Sequence, residues 1–243
     1  MDGTVGLSEA LHPYLAERPA ASRTAAERLE EELVSFLAHR GLPIDEEAGR
    51  RVALLPASHF DPGLAWAFVA DHLITHVSRP VEELGRMGRL FARALRAAAE
   101  RGVMDADRAK ACASAAEQAV AVLPRLDALA RALRERLREG RPGRALYESD
   151  PEAYAREMQR WESQQPLAQE ELEGGFVVEE VEERAVRLYH RRRPDESIEL
   201  ELAPAVTRLV HAGDRLDVQL GRNRSGWFLM DVWAAAAPGP ALP

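Results

Sequence analysis

Apolar residues keep two different periods along this chain, and the change falls at residues 163–175, Ser-Gln-Gln-Pro-Leu-Ala-Gln-Glu-Glu-Leu-Glu-Gly-Gly. Before that stretch they recur every three to four residues, which is the spacing of one helix face. After it they alternate with polar residues, as in a strand with one dry and one wet face. The pattern predicts an α+β protein: an N-terminal antiparallel helical bundle, then a small C-terminal five-stranded β-barrel of OB-like or SH3-like kind.

Cap and breaker residues divide the helical part. Ser8 starts a short helix through Leu15, and Ser22 caps a longer one with Leu29, Leu33, Phe36 and Leu37 on one face. Gly41 and Pro43 end it. Asp45 is read as the start of a third helix carrying Val52, Leu54 and Leu55, closed by Pro56. Asp61-Pro62 is a strong start signal, because proline at the first helical position loses no hydrogen bond. The helix it opens, to Val77, is apolar nearly all round and belongs at the centre of the bundle.

Pro80 opens a helix with Leu84, Met87, Phe91, Leu95 and Ala98 inward. Asp105 opens an alanine-faced helix with Ala109, Ala113, Ala116 and Val120, and Pro124 is read as the start of another, to Gly140. Small side chains let a neighbouring helix come close. The resulting division is a bundle over 1–140, then a connector over 141–174 holding one helix at about 150–164. The barrel follows over 175–233, and then a disordered Ala/Pro-rich tail over 234–243. The connector helix opens at Asp150-Pro151 and carries Tyr154, Met158 and Trp161 at helical spacing.

In the barrel, Val186 and Leu188, then Ile198, Leu200 and Leu202, then Leu216, Val218 and Leu220 alternate with polar neighbours. Phe176–Val181 and Trp227–Trp233 supply the first and last strands. Arg193-Pro194-Asp195 and Asn223–Gly226 read as turns, and Pro204–His211 as a short helix between the third and fourth strands.

Charge alters the picture modestly. The net charge of -8, with 30% charged residues, favours solubility and disfavours non-specific binding to nucleic acid or anionic membranes. Lys110 is the sole lysine, so the basic chemistry is arginine's. Cys112 stands alone, which excludes an internal disulfide and a cysteine zinc site. The first twenty residues show no basic start followed by an apolar block, so a cytoplasmic protein without a membrane partner is expected.

Three constellations carry candidate chemistry. His72 and His76 lie four apart on one helix face, a spacing that suits a shared divalent metal, with His59 and Asp61 upstream as further ligands. Leu73 stands where a zinc-peptidase motif needs glutamate, so that general base is missing. The barrel's Arg191, Arg192 and Arg193 at one hairpin tip and Arg222, Arg224 and Trp227 at another suggest a single-strand nucleic-acid groove. Against it, residues 170–243 hold fourteen acidic residues and nine arginines. Helices flanking Gly41 resemble a helix-turn-helix, but the second begins Asp45-Glu46-Glu47, which would face phosphates with carboxylates.

No cofactor is expected beyond that candidate metal. The primary reading is a non-enzymatic binding protein whose partner is another protein or a second copy of itself, with the alanine face and the Tyr154–Trp161 stripe as contact surfaces. The alternatives are a nucleic-acid-binding module and a metal-dependent enzyme.

Overall fold

A computed structural model describes residues 5–47 and 50–239. The chain is α+β, with helices first and a five-stranded sheet after them. It divides into two compact units: one runs to Arg125 and takes back the chain from Ala236, and the other is Leu126–Ala235.

The first unit holds α1 (Leu7–Ala16), α2 (Ala20–His39), the strands β1 (Ile44–Glu47) and β2 (Arg50–Ala53), and a 3-10 turn at Ala57–His59. The central helix follows in three pieces: α3 (Pro62–Ala67), a π-helical stretch (Phe68–Leu73) and α4 (Ile74–His76). Then come α5 (Val81–Glu100) and the first part of α6 (Ala106–Leu137).

Asp61 acts as its chemistry predicts, but α1 starts at Leu7 behind Gly6 and α2 at Ala20 behind Pro19, so Ser8 and Ser22 fall inside the helices they were expected to cap. Asp61 accepts the Leu64 amide at 2.8 Å, and Gly41, at φ 74°, turns the chain out of α2 in the left-handed region that spares glycine a Cβ clash. Phe60, Phe68, Val69, Leu73, Met87 and Phe91 meet in one core with the Leu7–Leu15 stripe of α1 and the Leu29–Leu37 stripe of α2. The central helix is surrounded, as its all-round apolar sequence requires. A Cβ on Gly88 of α5 would lie 2.5 Å from Val120 and 3.1 Å from Val69, so that glycine sets how closely α5 and α6 approach.

Three readings of this unit need correction. The segment from Asp45 is no helix but an antiparallel hairpin, with Asp45 opposite Val52 and Ile44 opposite Ala53. Val52 and Ala53 are both buried, and too few apolar positions recur over 45–53 to cover a helix face. Losing that helix removes the helix-turn-helix. The helices read at Asp105 and Pro124 are one helix, with Pro124 inside it. Proline there forgoes one backbone bond, a cost a long packed helix can absorb.

The second unit holds the rest of α6, α7 (Arg144–Ser149) and α8 (Pro151–Gln164). Its sheet strands are β3 (Glu170–Val181), β4 (Ala185–His190), β5 (Arg193–Glu201), β6 (Arg215–Asn223) and β7 (Gly226–Ala236), with α9 (Pro204–Thr207) between β5 and β6. The Asp150 carboxylate caps α8 through the Ala153 amide at 2.9 Å.

The strand order is β3-β4-β5-β7-β6, and β6 pairs back along β3. The pairs β3–β4, β3–β6 and β4–β5 are antiparallel, whereas β5 and β7 run parallel and meet at Leu200 and Trp227. Phe176, Val186, Leu188, Ile198, Leu200, Leu216, Val218 and Leu220 are buried, so the alternating pattern faces one interior. The Thr207 hydroxyl donates to the Glu183 carbonyl at 2.8 Å and pins α9 to the β3–β4 turn.

Three details depart from the sequence reading. The β4–β5 turn is Arg191–Arg192, and Pro194 sits near the start of β5, where a strand tolerates it. A short helix, α7, occupies part of the connector. Ala234, Ala235 and Ala236 are not tail but the buried end of β7, and the Ala237 carbonyl accepts the Trp66 indole N–H at 3.3 Å. Residues 240–243 of the expected tail lie outside the described residues.

Candidate functional site

Three histidines converge in the first unit. His72 is in the π-helical stretch, His76 in α4, and His39 in the last turn of α2. Ring centroids are 5.0 Å apart for His72 and His76, 5.2 Å for His39 and His76, and 5.9 Å for His39 and His72. Phe36 and Phe68 close on His72 at 5.5 and 5.9 Å, leaving it 3% exposed, whereas His39 and His76 reach solvent.

Glu32 Oε2 lies 3.2 Å from His72 Nε2. Burial first, then the neighbouring His76 and His39, push the His72 imidazole down to about 4. Burial, with help from Glu31, raises the Glu32 carboxyl. Desolvation disfavours whichever form is charged. At neutral pH the contact is therefore a neutral imidazole N–H donating to a carboxylate, not an ion pair. His39 Nδ1 donates to the Ser35 carbonyl at 2.7 Å.

The spacing that paired His72 with His76 is realised, and both join His39. His59 ends the 3-10 turn and is exposed, while the Asp61 carboxylate is engaged as a helix cap. Among the described residues, no three His, Cys, Asp or Glu side chains are arranged to hold a metal ion. His39 and Glu32 escaped the sequence reading because a partner on another helix leaves no mark in local spacing. A weak signal was there: Glu32, Phe36 and His39 recur at i, i+4 and i+7 on one face of α2.

In the second unit the two arginine-bearing tips partly cancel. Arg193 and Arg222 both reach Glu170, at 3.8 and 3.6 Å, and Arg222 lies 5.6 Å over the Trp227 ring. Arg224 is exposed in the β6–β7 turn. Arg187 is held between Glu180 and Glu182.

Arg191 and Arg192 differ: they are exposed and form no ion pair among the described residues. They line a surface groove of about 850 Å³ with Arg215, Asp217, His190 and Trp233. Gly174, at φ 120°, and Gly175 form its floor; a Cβ on Gly175 would press on the Arg191 and Arg215 stems at 3.4 Å. Trp233 is 44% exposed. Buried His190 lies against Phe176 at 4.9 Å, its Nε2 is 3.2 Å from the Glu173 carbonyl, and its Nδ1 has no hydrogen-bond partner among the described residues.

Of the two expected contact surfaces, the alanine face is not available. Ala109, Ala113 and Ala116 are buried in the first unit's core, because small residues are what allow tight helix packing there. The Tyr154–Trp161 stripe remains half-exposed, with Tyr147 edge-on to Tyr154 at 5.3 Å and Trp161 Nε1 donating to the Glu139 carbonyl at 3.0 Å. No family model matches the chain, and no curated protein or solved structure matches it either.

Proposed function

We propose that this chain is a non-enzymatic protein-binding protein. In this reading its C-terminal sheet is a small barrel of the OB type, and the groove beside Trp233 is the contact. The strand order supports the OB assignment. Numbered within the sheet it runs 1-2-3-5-4 and back to 1, strands 3 and 5 are parallel, and a short helix precedes strand 4.

The observation that carries the binding role is the pair of uncommitted guanidiniums, Arg191 and Arg192, in one groove with the exposed Trp233. Tryptophan and arginine dominate the energetics of protein interfaces, and two cations beside an indole fit a carboxylate next to an apolar side chain. The same arrangement weighs against nucleic acid. An OB barrel binds oligonucleotides across its second and third strands. Here that face carries Glu199 opposite Arg187 and Glu201 opposite Ala185, and Glu170 already neutralises Arg193 and Arg222. A phosphodiester chain would meet carboxylates along most of its path.

The test compares wild-type protein with an R191E/R192E/W233A variant as bait. A partner identified from the capture is then purified, and its affinity measured for both. The reading requires the partner's affinity to fall at least tenfold in the variant and to weaken with salt. Salt-sensitive anisotropy changes with a fluorescent 20-nucleotide deoxythymidine oligomer, abolished in the same variant, would replace it with the nucleic-acid reading.

A further inference from the structure

The short register between β5 and β7 leaves part of one side of β7 without a strand neighbour. Its strand neighbours are β5 and β6, and β5 runs parallel to it, meets it at Leu200 and Trp227, and ends at Glu201. Glu201 falls opposite Phe228 in that register, so β7 outruns β5 from Leu229 onward. The stretch closes again at Arg134, which donates to the Val232 and Trp233 carbonyls at 3.3 and 2.6 Å. Between these limits lie Leu229 to Asp231, three residues, or about 10 Å of strand.

A cleft of about 460 Å³ runs beside that stretch, walled opposite by Arg138, Arg141, Trp161 and Pro166. Arg138 and Arg141 are exposed and form no ion pair among the described residues, though Arg141 lies 5.6 Å over the Trp161 ring. Asp231 is the carboxylate in the lining. An open strand edge offers backbone donors and acceptors to another extended chain, and pockets beside it select alternate side chains.

We infer that the cleft between β7 and the Arg138–Arg141 segment binds a partner's acidic peptide in extended form, added to β7 as a short strand. Backbone bonds along Leu229–Asp231 supply the register, and Arg138 and Arg141 select carboxylates projecting to one side. The site is separate from the Trp233 groove in the residues it uses, so either can fail without the other.

The experiment titrates the full chain, labelled with nitrogen-15, with a capped pentapeptide alternating glutamate and valine. The controls are the same peptide with lysine for glutamate and one with proline for valine. Amide resonances of Leu229–Asp231 are followed in wild type, R138E/R141E and R191E/R192E. The expected result is saturable shifts there with the glutamate peptide and at least tenfold weaker binding of both controls. Charge reversal at 138 and 141 should reverse the preference toward lysine, while R191E/R192E should leave it unchanged. An absence of saturable shifts in those amides, equal binding of the proline peptide, or indifference to R138E/R141E overturns the inference. Both replaced arginines are exposed, and a circular dichroism spectrum equal to wild type checks that the variant is folded.

Discussion

His72 should make this protein acid-sensitive in a calculable window. Its imidazole titrates near 6.5 in the unfolded chain and at about 4 in the folded one. Between those values the unfolded state binds more protons, so stability falls as pH drops from 6.5 toward 4 and levels off below. Linkage gives a loss of roughly 2 kcal/mol by pH 5 and roughly 3 kcal/mol once both states are protonated. Glu32 works the other way, since a raised carboxyl stabilises at low pH and loses that contribution as pH rises. His39, His76, Asp71 and Arg40 face the same group and stay in place in the comparison.

The perturbation is His72→Phe, which keeps a ring against Phe36 and Phe68 and removes the titration. Urea unfolding at pH 7.5, 6, 5 and 4.5, read through segments of the first unit by hydrogen exchange, gives the difference between the two proteins. The gap should move in favour of the variant by roughly 2 kcal/mol between pH 7.5 and pH 5. Parallel curves across that range, or a His72 proton resonance titrating near 6.5, would refute the reasoning.

Other expectations follow from single residues. Gly88→Ala forces a Cβ into Val120 and should destabilise by roughly 1–3 kcal/mol, seen in thermal melts, despite alanine's better helix propensity. The Cys112 thiol is fully buried and pushed up to about 12, chiefly by burial, so native protein should resist iodoacetamide at pH 8 and urea-unfolded protein react at the rate of a free thiol. The Arg96–Glu117 pair is bidentate, at 2.8 and 2.6 Å, but nearly half-exposed, so Glu117→Gln should cost under about 1 kcal/mol and the cost should shrink in 0.5 M salt.

Much of the fold was legible because its two periods are kept so strictly. The alternation in 186–220 has one burial solution, and its apolar positions Val186, Leu188, Ile198, Leu200, Leu202, Leu216, Val218 and Leu220 are all buried. Caps such as Asp61 and Asp150 act within three residues, so they can be read from sequence. What escaped reading depends on distant parts. The 44–53 segment offers neither a clean helical nor a clean alternating pattern, and only packing on α1 and α2 decides it. Pro124 looked like a start because the long helix that tolerates it is invisible locally. The alanines at the end of β7 resemble a linker until their burial is seen. Of the sites, the His72–His76 pair could be read from one helix, while His39 and Glu32 needed the docking of another. The Arg193–Glu170–Arg222 meeting needed the sheet's closure onto β3.

The π-helical stretch at Phe68–Leu73 has a consequence for what the histidine cluster can survive. A π turn holds one residue more than the α turn it replaces, while an α-helix advances about 100° per residue. Re-forming that turn as an α turn without losing a residue would swing every later side chain by that angle about the helix axis, and His76 would leave His39 with both histidines still in the sequence. Losing one residue of the stretch instead lets the α turn close with the later side chains where they were. The His39–His76 meeting is thus held by a phase offset in the backbone, which a change of turn type would dissolve as surely as replacing a ring.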